Sequence, residues 1–509
     1  MAAAVSDAGF ARTVGATLVG TEARLVDVQV ALAPREEGGE RSFRIVGLPD
    51  IAMREGRERI RAALQSGGWG WPDTRATVNL APAADRKQGA ALDLAIALGL
   101  LGALGTFSAP SRLALYLCLG EVALDGSLRP VRGVLAAVEA ARRARLTAAL
   151  VPRANAAEAA SVEGVDVHAV DDVLGAVEHV EGLAPIEPTR APPWSPSHEV
   201  PLCSQVRGQA QALRAAWVAA VGGHNLLLMG PPGSGKTMLA REVRDLLPPL
   251  TREEALDVSR VHSAAGLLAG GLVRKRPFRA PHHTASLPGL VGGGSPPRPG
   301  EVSLAHRGVL FLDELPEFAR TSLEALRQPL EDGALVVSRA AGSVRLPSRV
   351  VLVAAMNPCP CGWQGVPGRC RCGVREISRY QARISGPLRD RFDLCVTTRP
   401  VDPQQLVGPP APAPFTEAQL AAALRRQGDR CRALRSRVYA NAELPAARLP
   451  DAVDPTPAAL QRLVRATQSL GLSGRAVHRT LRVARTLADL CDVDTLEPPH
   501  IDEALALRV

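Results

Sequence analysis

The hydrophobic and polar positions of this chain change period several times, and each change marks an element. From Thr17 to Val46 they alternate as short strands do, in VDVQVAL and FRIVGLP, and from Ile51 to Leu64 the spacing becomes helical. ATVNLAP predicts a further strand, and Ala90 to Leu104 a long Ala/Leu helix. LALYLCLGEVAL, a turn at Asp125-Gly126, a helix from Val134 to Arg145 and a strand ending in ALVP follow. The succession predicts a compact α+β domain over residues 1–182. LAPIEPTRAPPWSPSHEVP, residues 183–201, is Pro-rich without periodicity and reads as a semi-extended linker. Over residues 202–399 a helical run, VRGQAQALRAAWVAAVGGHN, leads into buried-strand runs that each end in a polar residue: LLLM, VLFL before Asp313, and VVLVAAM before Asn357. This predicts an α/β core. A second Pro-rich connector, residues 400–416, precedes residues 417–509, where LQRLVRATQSLGL and AVHRTLRVARTLADL predict a helical domain.

The chemistry sits where the first core strand stops. Gly230-Pro231-Pro232-Gly233-Ser234-Gly235-Lys236-Thr237 is the G-x-x-x-x-G-K-[ST] phosphate loop in its strand-to-helix setting. Its glycines let successive N–H groups point at phosphate oxygens. Lys236 then reaches the β- and γ-phosphates, the Thr237 hydroxyl takes one place on Mg²⁺, and the helix N-terminus adds positive dipole. The pattern predicts ATP with Mg²⁺ as cofactors. About seventy-five residues on, VLFLDEL ends in Asp313-Glu314 as a Walker-B strand does. Asp313 is placed to hold Mg²⁺ and Glu314 to polarise the attacking water.

Composition narrows the setting. A chain of 509 residues exceeds one hydrophobic core. A formal net charge of +9 favours a polyanionic partner such as nucleic acid. The longest apolar run, Leu94 to Leu104, is too short to span a bilayer, and the N-terminus lacks a secretory pattern, so a cytoplasmic protein with no membrane partner is expected. Cys359, Cys361, Cys370 and Cys372 form two C-x-C pairs around a Gly-rich loop. Four thiolates can close a tetrahedral Zn²⁺ shell, and free buried thiols are the alternative.

Several runs carry a resemblance. VGLPDIAMREGRERIRAAL, VNLAPAADRKQGAALDLAIAL, GEVALDGSLRPVRGVLAA and LVPRANAAEA resemble the proteolytic domain of Lon proteases, of the ribosomal S5 domain 2-like fold. They are more closely similar to the N-terminal domain of the YifB/ComM family of magnesium-chelatase-like AAA+ ATPases. Where Lon has its nucleophilic Ser and partner Lys, this chain has Ala91 and, in VRGVLAA, Val131 and Gly133 in the two Lys places, so a Ser-Lys dyad is missing and a structural or substrate-handling module is expected. RKRPFRAPHHTASLPGLVGGGSPPRPGEVSLAHRGVLFLDELPEF is the family's most specific run. The resemblance covers nearly the whole chain and implies a P-loop AAA+ αβα core with a C-terminal helical lid. It makes Asn357 the sensor-1 residue, Arg391 in ISGPLRDRFDL the arginine finger offered to a neighbour, with Arg389 as the alternative, and Arg475 the sensor-2 arginine. Val206 and Gln209 are its adenine-side contacts.

A finger acting in trans implies a homo-oligomeric ring, expected to be a hexamer. ALVVSRAAGSVRLPSR matches a pore hairpin with a turn near Ala341-Gly342, whose Arg339, Arg345 and Arg349 are candidate contacts to single-stranded or branched DNA, with Arg274, Lys275, Arg276 and Arg279 adding charge nearby. A solvated basic face is the bland alternative for these residues. The family likeness implies a DNA motor driving branch migration in homologous recombination and natural transformation. The rivals are a subunit that helps insert Mg²⁺ into a porphyrin, and an ATP-dependent unfoldase or protease.

Overall fold

The structure, a computed structural model, describes residues 9–33, 43–72, 74–83, 87, 89–197, 206–294, 297–339, 342–402, 404–405, 412–434 and 440–508. The N-terminal part runs β1 (Phe10–Val19), β2 (Glu22–Ala33), β3 (Phe43–Val46), α1 (Ile51–Ser66), β4 (Arg75–Ala81), α2 (Asp93–Ala103), β5 (Tyr116–Cys118), β6 (Glu121–Val122) and β7 (Leu128–Arg129). It continues with α3 (Val134–Arg143), β8 (Ala148–Pro152), α4 (Arg153–Ala159), β9 (Asp166–Val170) and α5 (Val173–Glu181). Its main sheet has the order β3-β4-β2-β1-β5-β8-β9. The β1–β2 and β2–β4 pairs are antiparallel and the others parallel, a mixed sheet. α2 is buried on every side, which is why its sequence shows no polar face.

The core then runs α6 (Ala210–Gly222), β10 (Leu226–Met229), α7 (Lys236–Leu246), α8 (Arg252–Ala265), β11 (Phe278–Arg279), α9 (Leu287–Val291), β12 (Gly292–Gly293), β13 (Arg298–Pro299), α10 (Glu301–Leu304) and β14 (Val309–Leu312). After α11 (Arg320–Ala325) and α12 (Arg327–Asp332) come the hairpin strands β15 (Ala334–Arg339) and β16 (Gly342–Pro347), β17 (Val351–Met356), α13 (Val374–Gln381), α14 (Gly386–Arg389) and β18 (Leu394–Thr397). The all-parallel sheet has the order β11-β14-β17-β10-β18, so the phosphate-loop strand β10 lies between β17 and β18. Fully buried strands need helices on both faces, and their near-continuous apolar sequence reflects that.

Helices α15 (Glu417–Ala433), α16 (Leu449–Val453), α17 (Pro457–Leu470), α18 (Gly474–Leu490) and α19 (Pro498–Ala506) complete the chain. The buried clusters do not stop at the Pro-rich connectors. One joins α6, β10 and β17 to α15, α18 and α19. Another joins α3, α4 and β8 to Leu250, Ala255, Val258 and Leu272. The first connector is itself docked: Ile186 packs on the N-terminal core, and Trp194 Nε1 donates to Val273 O at 3.3 Å. Among the described residues no helix is long and apolar enough to cross a membrane.

Candidate nucleotide site

Three parallel strands deliver their C-terminal ends to one cavity of about 440 Å³, lined by Pro232 to Met238, Asp313, Glu314, Met356 and Asn357. Gly233 and Gly235 take φ of +74° and +85°, a left-handed turn that suits glycine and brings the loop onto the N-terminus of α7. Gly230 cannot carry a side chain either, because a Cβ there would lie 2.0 Å from Thr398 Oγ1. Thr398 also bonds Ser234 Oγ at 2.7 Å and so pins the loop from β18.

Lys236 Nζ donates to Gly230 O at 2.7 Å, Pro231 O at 2.9 Å and Asn357 Oδ1 at 3.4 Å. Burial lowers its pKa, and the carboxylates of Asp313 and Glu314 act in the opposite direction. Thr237 Oγ1 lies 3.4 Å from Asp313 Oδ2. That pair of hard oxygen donors fits Mg²⁺. Glu314 sits at φ +51°, an uncommon conformation for a non-glycine residue, and its carboxylate lines the cavity with Lys236. His283 Nδ1 approaches Glu314 Oε2 at 3.2 Å.

The cysteine pairs meet directly behind Asn357. The Sγ atoms of Cys359, Cys361, Cys370 and Cys372 all lie within 4.8 Å of one another. Cys359 is 3.4 Å from Cys361 and 3.9 Å from Cys370, and Cys361 is 3.8 Å from Cys370. Tetrahedral zinc with Zn–S of about 2.3 Å requires S···S separations of about 3.8 Å, so the set fits. The backbone N–H groups of Trp363 and then Arg371 draw the Cys361 thiol down to about 6.

Arg391 and Arg475 do not line the phosphate-loop cavity. Both line a second, polar cavity of about 550 Å³ between the core and the C-terminal helices, with Arg349, Arg479 and Arg482. Arg391 is buried and its Nη2 contacts Glu331 Oε2 at 2.5 Å; Arg475 approaches the same carboxylate at 3.9 Å. Arg389 is exposed. Arg479 and Arg482 are half-buried: Arg479 donates to Phe392 O and ties α18 to the core, and Arg482 donates to Leu444 O within the C-terminal part. Gln209 bonds the Arg399 backbone in both directions, and Val206 is buried.

The predicted hairpin exists as the antiparallel pair β15–β16. Arg339 lies on β15, opposite Gly342, while Arg345 is exposed on β16. Ala341 of the expected turn lies outside the described residues. Arg349 lies beyond the hairpin's end, with Nη1 3.7 Å from Glu443 of the C-terminal part. Basic residues in and before β11 have partners within the chain: exposed Arg274 bonds Pro193 O, Arg276 bonds Arg307 O and Glu254, and Arg279 forms a two-pronged pair with Glu301. In the N-terminal part Ala91, Val131 and Gly133 face one cavity of about 440 Å³.

Comparison with known proteins shows the family. Residues 203–406 match the family described as magnesium chelatase, subunit ChlI; residues 33–155 match subunit ChlI of Mg-chelatase; and residues 415–508 match its C-terminal region. The chain is 40% identical to competence protein ComM of Haemophilus influenzae over 96% of each chain, and 40% identical to YifB of Escherichia coli over 91% of each. It belongs to the YifB/ComM family of magnesium-chelatase-like ATPases. A more distant relative, the magnesium-chelatase 38 kDa subunit of Acidiphilium rubrum, is 28% identical over 56% of this chain and 82% of that one. Family membership implies ATP and Mg²⁺, and the loop, Thr237 and Asp313 are arranged to suit them. The residues that sequence reasoning missed are His283, Glu331 and Thr398. His283 sat in the quoted PHHT run, but its partner Glu314 is distant in sequence.

Proposed function

We propose that this chain is a ring-forming, ATP-hydrolysing motor that acts on DNA, with branch migration in homologous recombination and natural transformation as its task. One observation supports the ring above all. Among the described residues, the lining of the cavity that holds Lys236, Thr237, Asp313, Glu314 and Asn357 includes no second cation able to neutralise charge developing on the γ-phosphate from the far side, while Arg391 and Arg475 line the other cavity. A neighbour in a hexameric ring supplies that cation. Lys236 holds the β- and γ-phosphates, Asn357 positions the γ-phosphate or the lytic water, and Glu314 orients that water with His283 fixing its carboxylate. Mg²⁺ neutralises phosphate charge when bound, with Thr237 and Asp313 as its protein ligands. The four cysteines complete the cofactor set as a structural zinc site. Exposed Arg345, with Arg339 on the facing strand, supports sequence-independent contact with DNA phosphates, and the name of the competence relative supports a role in competence. The domain reading follows: a Lon-like domain without its dyad, an AAA+ core carrying the cysteine cluster, and a helical lid.

Mixing two inactive variants tests the ring. Lys236→Ala subunits still offer Arg391, and Arg391→Ala subunits still bind ATP, so a mixture should hydrolyse ATP where neither does alone. Absence of rescue, with Arg389→Ala behaving likewise, contradicts a finger acting in trans.

A further inference from the structure

We infer that metal occupancy of the cysteine site sets the affinity of the phosphate loop for nucleotide. This rests on the readings of the first cavity as an ATP site and of the cysteines as a zinc site. The connection is a short, direct one. β17 ends at Met356, whose carbonyl accepts from Gly230 N at 3.1 Å; Asn357 follows, with its Oδ1 near Lys236 Nζ, and Cys359 stands two residues further on.

The turn between the first two cysteines is closed by Gly362 N donating to Cys359 O at 2.9 Å, and Gly362 adopts φ +83°. Its Cα stands against the phosphate loop. A Cβ there would lie 2.8 Å from Pro232 Cδ and 3.7 Å from Asn357 Cγ. The far side is anchored to α13, where Gln381 Nε2 donates to Pro358 O at 3.0 Å.

The turn therefore backs two parts of the nucleotide site at once: Pro232 of the loop and the Asn357 side chain. Four thiolates on one Zn²⁺ hold this turn in a single geometry, joining Cys359 and Cys361 to the distant Cys370 and Cys372. Released from the metal, the sulfurs no longer constrain it. Pro232 then loses its backing, and the loop must be ordered when nucleotide binds, at a cost in affinity.

The test uses the full chain purified without chelator. Metal analysis should find about one zinc per chain. Stripping with a zinc chelator should weaken binding of a fluorescent ATP analogue about tenfold, with far-UV circular dichroism retained, and added Zn²⁺ should restore it. Cys361→Ser with Cys370→Ser should stay in the weak state whether or not Zn²⁺ is added. Absence of zinc, unchanged affinity after stripping, or loss of the whole fold on stripping each overturns the inference. Lys236→Ala separates it from the reading beneath: that variant should bind the analogue about a thousandfold more weakly than wild type when zinc is bound, and wild-type binding by it would remove the nucleotide site itself.

Discussion

Replacing Lys236 by Ala should cost about a thousandfold in ATP affinity. The amine is half-buried and aimed by two loop carbonyls, Gly230 O at 2.7 Å and Pro231 O at 2.9 Å. Much of its desolvation has already been met in folding, as the direction of its pKa shift records. A unit charge about 4 Å from a phosphate oxygen, at an effective dielectric constant of about 20, is worth about 4 kcal/mol. Each 1.4 kcal/mol is about tenfold, so the loss amounts to roughly three decades. The variant also removes the Lys236 donor from Gly230 O, while Pro231 O keeps the Ser234 hydroxyl at 2.8 Å, so the stability cost is that of about one hydrogen bond and the melting temperature should move little. Equilibrium titration with a fluorescent ATP analogue measures the effect, with circular dichroism as the control for folding. Binding within threefold of wild type by a folded variant would refute the reasoning.

Glu314→Gln puts a carboxamide of the same size near His283 but removes the charge that orients water, so ATP should bind with near wild-type affinity and turnover should fall at least a hundredfold, about 2.7 kcal/mol, in a single-turnover assay; wild-type turnover would displace Glu314 from that role. Ala91, Val131 and Gly133 supply neither hydroxyl nor amine, so ATP-dependent cleavage of casein should be absent, and cleavage surviving removal of contaminating proteases would contradict this. Burial, with Arg307 and Arg349 close by, holds His306 neutral well below the usual histidine range, and its Nδ1 accepts Arg349 N–H at 3.1 Å. A depressed histidine contributes stability that is full above the unfolded value of about 6.5 and is lost as pH falls below it. Thermal unfolding should therefore drop between about pH 7 and pH 5, less steeply in His306→Asn, which keeps an acceptor; a pH-independent melting temperature would count against it.

The parts of the site readable in the sequence are those whose spacing the local backbone fixes. The phosphate loop needs its glycines, Lys and Thr at set positions between a strand and a helix, and the strand ends at Asp313 and Asn357 follow from short buried runs. Charge alone says nothing about partners, which is why Arg274, Arg276 and Arg279 read as a phosphate-tracking run while exposed Arg274 bonds a linker carbonyl and half-buried Arg276 and Arg279 pair with carbonyls and carboxylates of the same chain. Arg349 reads as part of the hairpin because its sequence is contiguous with β16, whereas the strand stops at Pro347 and the side chain turns to Glu443. Glu331 and Thr398 carry no local signal. Their roles arise from α12 and β18 packing against segments far away in the chain, which periodicity does not report.

The central claim is that ATP hydrolysis is coupled to DNA. The most direct measurement is ATP turnover of the wild-type chain alone and with single-stranded DNA, a four-way junction, denatured casein, or protoporphyrin with Mg²⁺, with the DNA arms repeated on the Arg339→Ala, Arg345→Ala variant. The account predicts stimulation by DNA that weakens steeply with salt, depends little on base sequence and disappears in the variant. Indifference to every form of DNA, with a response to casein or to the porphyrin, would contradict it.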